Sequence, residues 1–236
     1  MSVLGGVVTV TKTNFLDEAH ALLLQEDGHN GMDKIFKGSK AYRDTSPTDE
    51  WRDFVTSEVL RHPIKELVHL YQFTNHSFSK PRSYAGDAGL IDFIYGEGAA
   101  KGLCLEGLAS AIAQYTLNAP AARAVRYRRE LLAIRIDKAA VAEKNPWVLS
   151  IAAGHLREIE LSQATLNGQI GRFHALDQDK ESVQLIQREY GCYNVSASVG
   201  SVRQLLSGKL KFNGLSLVYA AGLFDYLGDK PNGLSR

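Results

Sequence analysis

The chain has 236 residues, of which 44% are hydrophobic and 22% are charged, so it is long enough and apolar enough to bury a core. Its 27 basic and 26 acidic residues give a net charge of +1, which offers no electrostatic reason to expect nucleic acid or an anionic membrane as a partner. The two cysteines lie far apart, no apolar run approaches the roughly 18–20 residues of a membrane helix, and the start lacks the basic region of a signal peptide. We therefore expect a soluble, cytoplasmic protein.

Residues 1–145 carry the periodicity of helices, with apolar side chains three and four positions apart. Helices are predicted at 50–73 with a break at His62-Pro63, at 104–117 and at 121–144. The polar stretch 74–89 is predicted as a long loop, and long loops inside compact domains are often functional. We predict a helical N-terminal domain over 1–145.

After Asn145-Pro146 the periodicity changes to short strands that alternate with helices, which is typical of βαβ units and a parallel sheet. Ligands bind such sheets at the carboxyl ends of the strands. The predicted fold class is therefore α/β, with a Rossmann-like domain over 146–236. The predicted strands are 147–152, 170–175, about 193–197 and 215–221, and the predicted helices are 155–166, 178–190 and 201–208.

An acidic residue follows the second predicted strand. The first strand runs into a turn with a single glycine, Gly154, and Asp177 comes 23 positions later. In dinucleotide-binding folds, an acidic residue about 20 positions after the glycine turn holds the ribose hydroxyls. Asp177 is thus either a ribose ligand or the N-cap of the next helix, while Asp179 is expected to be the cap or a first-turn acid.

Two later parts of the sequence, the turn at Ser201 and the stretch 215–227, each allow two interpretations. The turn at Ser201 either passes the edge of a purine or caps a helix. The stretch 215–227 ends in Asp225 and aromatic residues, which either face the ligand crevice or pack in the core.

Histidines in the helical part recur every seven positions, which is not the i, i+4 spacing of a helical zinc pair, so we predict no metal site.

Four stretches carry a resemblance to a known family. They are KPRSYAGD (80–87), APAARAVRYRREL (119–131), VLSIAAGHLREI (148–159) and LVYAAGLFDYL (217–227), with ALDQD between the last two. Together they resemble the class I S-adenosylmethionine (SAM)-dependent methyltransferases, and more narrowly a bacterial family of 3-hydroxypalmitic acid methyl ester biosynthesis proteins. The resemblance covers roughly residues 50–230. It implies a Rossmann-like methyltransferase sheet with an N-terminal helical cap, and SAM as the cofactor.

The resemblance also implies roles for individual residues. The backbone at Ala153 and Gly154 would approach the methionine part of SAM, and Glu158 would either bind its ammonium or be a first-turn helix acid. Arg126 would either pair with the SAM carboxylate or belong to an exposed basic helix face, as expected for Arg123, Arg128 and Arg129. The rest of the cofactor would contact Asp177, Gln178, Ser201, Val202, Ala220, Ala221 and Leu223. The implied catalytic residues are Tyr84, Asp87 and Asp225.

The sequence departs from the family pattern in two places. Its first turn has Ile151-Ala152-Ala153 where the family has an acidic residue and more glycines. The predicted sheet also has fewer strands than a complete family sheet. We expect either a truncated chain, a sheet that a partner chain completes, or a degenerate protein, and an open parallel edge favours a homodimer.

Three functions remain open. The first is methyl transfer to a small-molecule or fatty-acid-like acceptor, through a carboxylate that needs little or no base or through a hydroxyl that needs one. In the second, the amino group of SAM attacks its own γ-carbon, which yields azetidine-2-carboxylate and methylthioadenosine. The third is a non-catalytic SAM-binding module.

Overall fold

The structure is a computed structural model that describes residues 14–84 and 86–223. The chain divides into two compact units, the first formed by Met1–Gly86 with Ala99–Ala122 and the second by Asp87–Gly98 with Arg123–Arg236. Segments 87–98 and 123–145, which share the helical periodicity of the N-terminal part, thus group with the sheet. None of the helices in the described ranges combines the length and the apolar character that crossing a membrane requires.

The described part of the chain is a mixed α/β protein with a four-stranded parallel sheet. Its helices are α1 (Asn14–Leu24), α2 (Gly28–Thr45), α3 (Thr48–Ser57), α4 (Ile64–Val68), α5 (Gln72–Ser79), α6 (Ala88–Tyr95), α7 (Gly107–Asn118), α8 (Pro120–Ala142), α9 (Gln163–Leu166), α10 (Lys180–Tyr190) and α11 (Val202–Leu206). Its strands are β1 (Trp147–Ile151), β2 (Arg172–Asp177), β3 (Val195–Val199) and β4 (Leu217–Ala220). Single turns of 3₁₀ helix lie at Val59–Arg61, Gly98–Ala100, Arg157–Glu160 and Gly191–Tyr193.

The first unit is helical, and its core lies between α1, α2, α4 and α7. Leu23 of α1, Met32 of α2, Ile64 of α4 and Ile112 of α7 are buried together there. A Cβ atom at Gly31 would lie 2.4 Å from the Leu23 side chain, so this glycine allows α1 and α2 to pack closely. Full burial of each aliphatic side chain contributes roughly 1.5–3 kcal/mol to the stability of this unit.

The predicted loop over 74–89 is wrong in its first part, which belongs to α5. Its polar side chains bond to the helix backbone, as where Thr74 Oγ1 donates to the carbonyl of Tyr71 at 2.6 Å, so their polarity does not prevent a helix. At the far end, α6 begins because Asp87 accepts the N–H of Leu90 at 3.0 Å and so caps the helix.

The second unit is built on the parallel sheet, whose strand order is β3-β2-β1-β4. The chain passes from β1 to β2 and β3 on one side, then crosses to β4 on the other side of β1, so the topological switch point lies between β1 and β4. One face of the sheet buries Val148, Phe173 and Val195 against Ile136 of α8 and Ile186 of α10. This core fixes the strand ends that frame the crevice described below.

Each predicted strand matches one observed strand to within two residues at both ends, whereas the predicted helix over 155–166 is wrong. The chain there forms the 3₁₀ turn Arg157–Glu160 and the short α9 instead. Leu156 has a φ of 55°, a left-handed conformation that interrupts a helix. The helical conformation restarts only after Ser162, whose hydroxyl accepts the N–H of Thr165 at 3.1 Å.

Candidate functional site

The crevice at the carboxyl ends of β1, β2 and β4 is the candidate site. The register pairs Ile151, the last residue of β1, with Leu176 of β2 and Ala220 of β4, so the three strand ends are level. Ligands of open parallel sheets bind at such ends, beside the switch point. Six of the sequence-predicted residues lie on or directly after these ends, namely Ala153, Gly154, Asp177, Ala220, Ala221 and Leu223.

The turn after β1 is held in an unusual backbone conformation by Asp177. Ala152, Gly154 and Leu156 have φ values of 53°, 55° and 55°, a region that is costly for the two residues that are not glycine. The carboxylate of Asp177 accepts the N–H of Gly154 at 2.7 Å and, through its other oxygen, the N–H of Asp179 at 2.8 Å. Asp177 therefore links the end of β2 to the turn after β1.

Burial dominates the electrostatics of Asp177, which is only 7% exposed. The loss of water raises the pKa of its carboxyl, although the two backbone N–H groups oppose this effect. Each oxygen keeps a second lone pair, so ribose binding stays a prediction. The alternative that Asp177 caps the next helix is wrong, because Asp179 is the N-cap of α10 and accepts the N–H of Glu181 at 3.0 Å.

A second acidic group, Glu158, lies buried near the switch point. The hydroxyl of Tyr219 on β4 donates to Glu158 Oε1 at 2.6 Å, and Glu158 is 7% exposed. Burial raises the pKa of Glu158, opposed by the Tyr219 hydrogen bond and by the cations Arg129 and Arg128. Burial and the neighbouring Glu158 raise the pKa of Tyr219 well above its usual value, while Ser150 of β1 opposes this. The turn after β1 and strand β4 thus share a buried carboxyl–hydroxyl pair.

Arg128 is a cation near this site. The sequence analysis expected it on an exposed basic helix face, and that expectation is wrong. It is partly buried, and its Nε atom is fully buried with no hydrogen-bond partner in the described part of the chain. No carboxylate of the described residues forms an ion pair with it. Burial raises the pKa values of Glu158 and of Tyr95, and Arg128 is close enough to oppose this rise in both. A buried guanidinium atom without a partner indicates a place for an anionic or polar ligand group.

Arg129, also expected on the exposed basic face, is 8% exposed. Its Nε donates to the carbonyl of Arg157 at 2.9 Å, and its Nη2 pairs with Glu160 at 2.5 Å. The sequence carried a signal for this burial, because Ala122, Ala133 and Ile136 are buried on the same helical stripe as Arg129. Arg123 is exposed, as expected.

Asp92 of α6 is the centre of a buried ion-pair network that the sequence did not reveal. It is 2% exposed, accepts from Arg157 Nε at 3.0 Å and Nη2 at 2.9 Å, and lies 2.8 Å from His155 Nδ1. Burial alone would raise the pKa of Asp92, but the bonds from His155 and Arg157 outweigh it and the pKa is lowered. The Arg157 Nη1 atom is held in turn by Glu160, Glu189 and Tyr190.

The remaining predicted residues are dispersed. Tyr84 belongs to the first unit, while Asp87 belongs to the second and is the buried cap of α6. Gln178 is exposed after β2, and Arg126 is partly exposed on α8. The structure places Ser201 at the N-cap of α11, where its N–H donates to Gln204 Oε1 at 2.9 Å, and Val202 is the first residue of that helix. Asp225 lies outside the described residues.

Comparison of the chain with models of known protein families, with curated proteins and with solved structures finds no match in any of the three. The residues of the crevice therefore carry the functional inference. A buried carboxyl at Glu158 and a guanidinium at Arg128 that lacks a carboxylate partner among the described residues can together bind a ligand with an ammonium and a carboxylate.

Proposed function

We propose that the second unit binds SAM at the crevice between β1 and β4, and that the protein is a SAM-dependent methyltransferase with a Rossmann-like class I fold. Its acceptor is a small or fatty-acid-like molecule with a carboxylate or a hydroxyl. The observation that carries the proposal is the occurrence of buried Glu158 together with Arg128, whose buried Nε atom has no partner in the described ranges, beside the switch point of a parallel sheet. The resemblance in the stretches 80–87, 119–131, 148–159 and 217–227 supports it independently.

The residues present fit the chemistry of SAM. Arg128 suits a carboxylate, because a guanidinium matches that group in shape and charge, and the Glu158 carboxyl suits an ammonium. The second lone pairs of Asp177 suit ribose hydroxyls. SAM supplies a methyl group on a cationic sulfur that needs no further activation. The chain's own contribution is to hold the reactants in line and to exclude water.

Calorimetric titration of the full chain with SAM and with S-adenosylhomocysteine tests the proposal. We expect both ligands to bind, and Arg128→Gln to weaken binding by about 10- to 100-fold, the range for loss of one charged hydrogen bond. The matched control is Arg123→Gln, which removes an exposed cation from the same helix and should leave binding unchanged. Absence of SAM binding by the wild-type chain would overturn the proposal.

Mass spectrometry of the wild-type chain incubated with SAM alone then separates the reactions. Methylthioadenosine together with a cyclic amino acid would overturn methyl transfer in favour of cyclisation. Unchanged SAM, followed by S-adenosylhomocysteine once a hydroxy or carboxylic acid is added, is the result expected for a methyltransferase.

A further inference from the structure

Helix α8 exposes an apolar stripe on the side that faces away from the core of its unit. Ala133 and Ile136 are buried on the inner side, and a helix that buries one side in this way is normally polar on the other. The outer side of α8 instead carries exposed residues that alternate three and four positions apart. These residues, named here the outer stripe, are Ala124, Tyr127, Leu131, Ile134, Lys138 and Val141.

The large apolar residues of the outer stripe are well exposed. Tyr127 is 63% exposed, Ile134 49% and Val141 89%, and Leu131 is exposed between them. Single apolar residues scattered over a surface are ordinary, whereas a row of them on one helix face marks an interaction site. The outer stripe is therefore a candidate docking surface.

The spacing of the outer stripe is that of a coiled coil. Alternation of three and four positions is the heptad repeat, in which residues at positions a and d pack against the same positions of a partner helix. Positions a are Ala124, Leu131 and Lys138, and positions d are Tyr127, Ile134 and Val141. The repeat asks for a partner helix with a matching repeat, and α8 of a second copy supplies one by identity.

The charges beside the outer stripe favour a parallel pair of helices. Glu130 lies at position g and Arg135 at position e, and both are exposed. In a parallel pair, g of one helix lies beside e of the following heptad of the other, so Glu130 faces Arg135 of the second copy, twice about the twofold axis. An antiparallel pair would set position g beside position g and bring Glu130 towards Asp137. Arg123 and Arg128 also face each other in the parallel pair, but Arg128 is turned into its own unit, where its Nε atom is buried.

Helix α9 enlarges the apolar surface beside the outer stripe. Ser162, the N-cap of α9, donates its hydroxyl to Asp137 of α8 at 2.6 Å, so the start of α9 lies against α8. Leu161 before this cap and Leu166 at the end of α9 are both exposed. The outer stripe alone is about 27 Å long and about 10 Å wide, whereas a stable interface takes about 800 Å² from each partner. A dimer centred on the outer stripe would therefore use these neighbouring residues as well.

We propose that the outer stripe of α8 is a homodimer interface, in which the α8 helices of two copies pack in parallel and in register about a twofold axis. The contact closes on itself, and Lys138, as the single charged residue at a position a, fixes the register at some cost in affinity. The Glu130–Arg135 pairs stay at the exposed rim, so they set orientation more than stability. The sequence analysis expected a homodimer from an open sheet edge, whereas this proposal places the contact on α8. It does not depend on the binding of SAM.

Sedimentation equilibrium of the full chain tests the interface. We expect the wild type to reach twice the mass of one chain, and Leu131→Glu combined with Ile134→Glu to weaken dimerisation by about 100-fold or more, because four carboxylates would meet in the seam. The matched control is Leu24→Glu combined with Leu206→Glu, which adds the same charges at exposed apolar positions of α1 and α11 and should leave the dimer intact. A monomeric wild type, or a dimer that the α8 substitutions leave unchanged, would overturn the proposal.

A disulfide tests the orientation without disturbing the seam. In a chain with Cys104→Ser and Cys192→Ser, which removes the two exposed native thiols, Val141→Cys brings two thiols together in a parallel pair. An antiparallel pair centred on the outer stripe would hold them about 25 Å apart. We expect a covalent dimer on mild oxidation, and none from Leu24→Cys in the same background. A dimer without this disulfide would overturn the parallel interface. A monomer whose Val141→Cys thiol resists a maleimide would show that another part of the chain covers the outer stripe, which would also overturn it.

Discussion

The carboxylate of Asp177 accepts the backbone N–H of Gly154 at 2.7 Å, although the two residues are 23 positions apart. Since Asp177 ends β2 and Gly154 follows β1, this bond joins two neighbouring strand ends. The same carboxylate also holds the N–H of Asp179, so it stabilises two turns at once. The spacing between Gly154 and Asp177 is typical of a ribose ligand, but in this structure the two residues are also joined by a hydrogen bond that stabilises the fold.

The Asp177→Asn variant measures the contribution of this carboxylate. The amide replaces one accepting oxygen with a donor that faces a backbone N–H, so we expect a loss of about 1–3 kcal/mol in the free energy of unfolding. Urea denaturation measures it. The matched control is Asp179→Asn, which should change stability little because asparagine is an equally good N-cap. Equal stability of the two variants would contradict a role for the bond to Gly154.

The Gly154→Ala variant tests why the turn needs a glycine. At a φ of 55° alanine is strained by roughly 1–2 kcal/mol, and its Cβ would also lie 3.3 Å from the Cβ of Ala88 on α6. Gly168→Ala is the control, because Gly168 has a φ of 67° and a Cβ atom there would meet nothing within 4 Å. We expect Gly154→Ala to lower the melting temperature more than Gly168→Ala. Adding Ala88→Gly to the Gly154→Ala variant should remove the extra loss of melting temperature relative to Gly168→Ala. If it does not, the contact with Ala88 of α6 is not the cause of that loss.

As pH rises, the Glu158→Gln variant is expected to gain stability relative to the wild type. Burial raises the pKa of Glu158 in the folded chain above its unfolded value of about 4.3, so its contribution to stability is fully present below that pH and is lost as pH rises through the folded pKa. Glutamine cannot ionise and still accepts from Tyr219. The stability of the wild type minus that of the variant should therefore fall as the pH is raised from acid towards neutral.

Urea denaturation across this pH range measures that difference. Glu130→Gln is the control, because it makes the same change at an exposed position of α8. A wild-type advantage over Glu158→Gln that grows with pH would contradict the buried position of this carboxyl.

The Asp92→Asn variant is expected to show the opposite pH dependence. Its bonds to His155 and Arg157 lower the pKa of Asp92 despite burial, so its contribution is present above the unfolded pKa of about 3.9 and is lost as pH falls through the folded pKa. At neutral pH, removal of one partner from this buried network should cost about 3–5 kcal/mol. The same denaturation series measures it. A wild-type advantage that persists undiminished in acid would contradict the ion pairs.

Short-range patterns were sufficient to predict the sheet. Buried strands flanked by glycine, proline and polar residues identified β1 to β4, and Asn145-Pro146 correctly marked the end of α8 before β1. The apolar stripe of α7 likewise predicted a helix over nearly its observed span. These elements were predictable because their hydrophobic periodicity is local and agrees with their burial.

The candidate site was predictable only in part. The positions of Gly154 and Asp177 at adjacent strand ends follow from the βαβ pattern, but the hydrogen bond between them does not. Asp92 is 63 positions from His155 and 65 from Arg157, and no local pattern relates these residues. The charges of Arg128 and Arg129 led to the wrong expectation of an exposed face, because ordinary charged residues avoid burial unless distant partners compensate.

The sequence by itself determined the class of this protein, a helical part followed by alternating strands and helices, because the period of apolar residues sets which face of each element is buried. Only the tertiary structure decided which polar groups meet at the strand ends. Asp177 bonds to Gly154, Tyr219 bonds to Glu158, and Asp92 bonds to His155 and Arg157. Each of these contacts joins separate elements, and its strength depends on burial that exists only once those elements have packed.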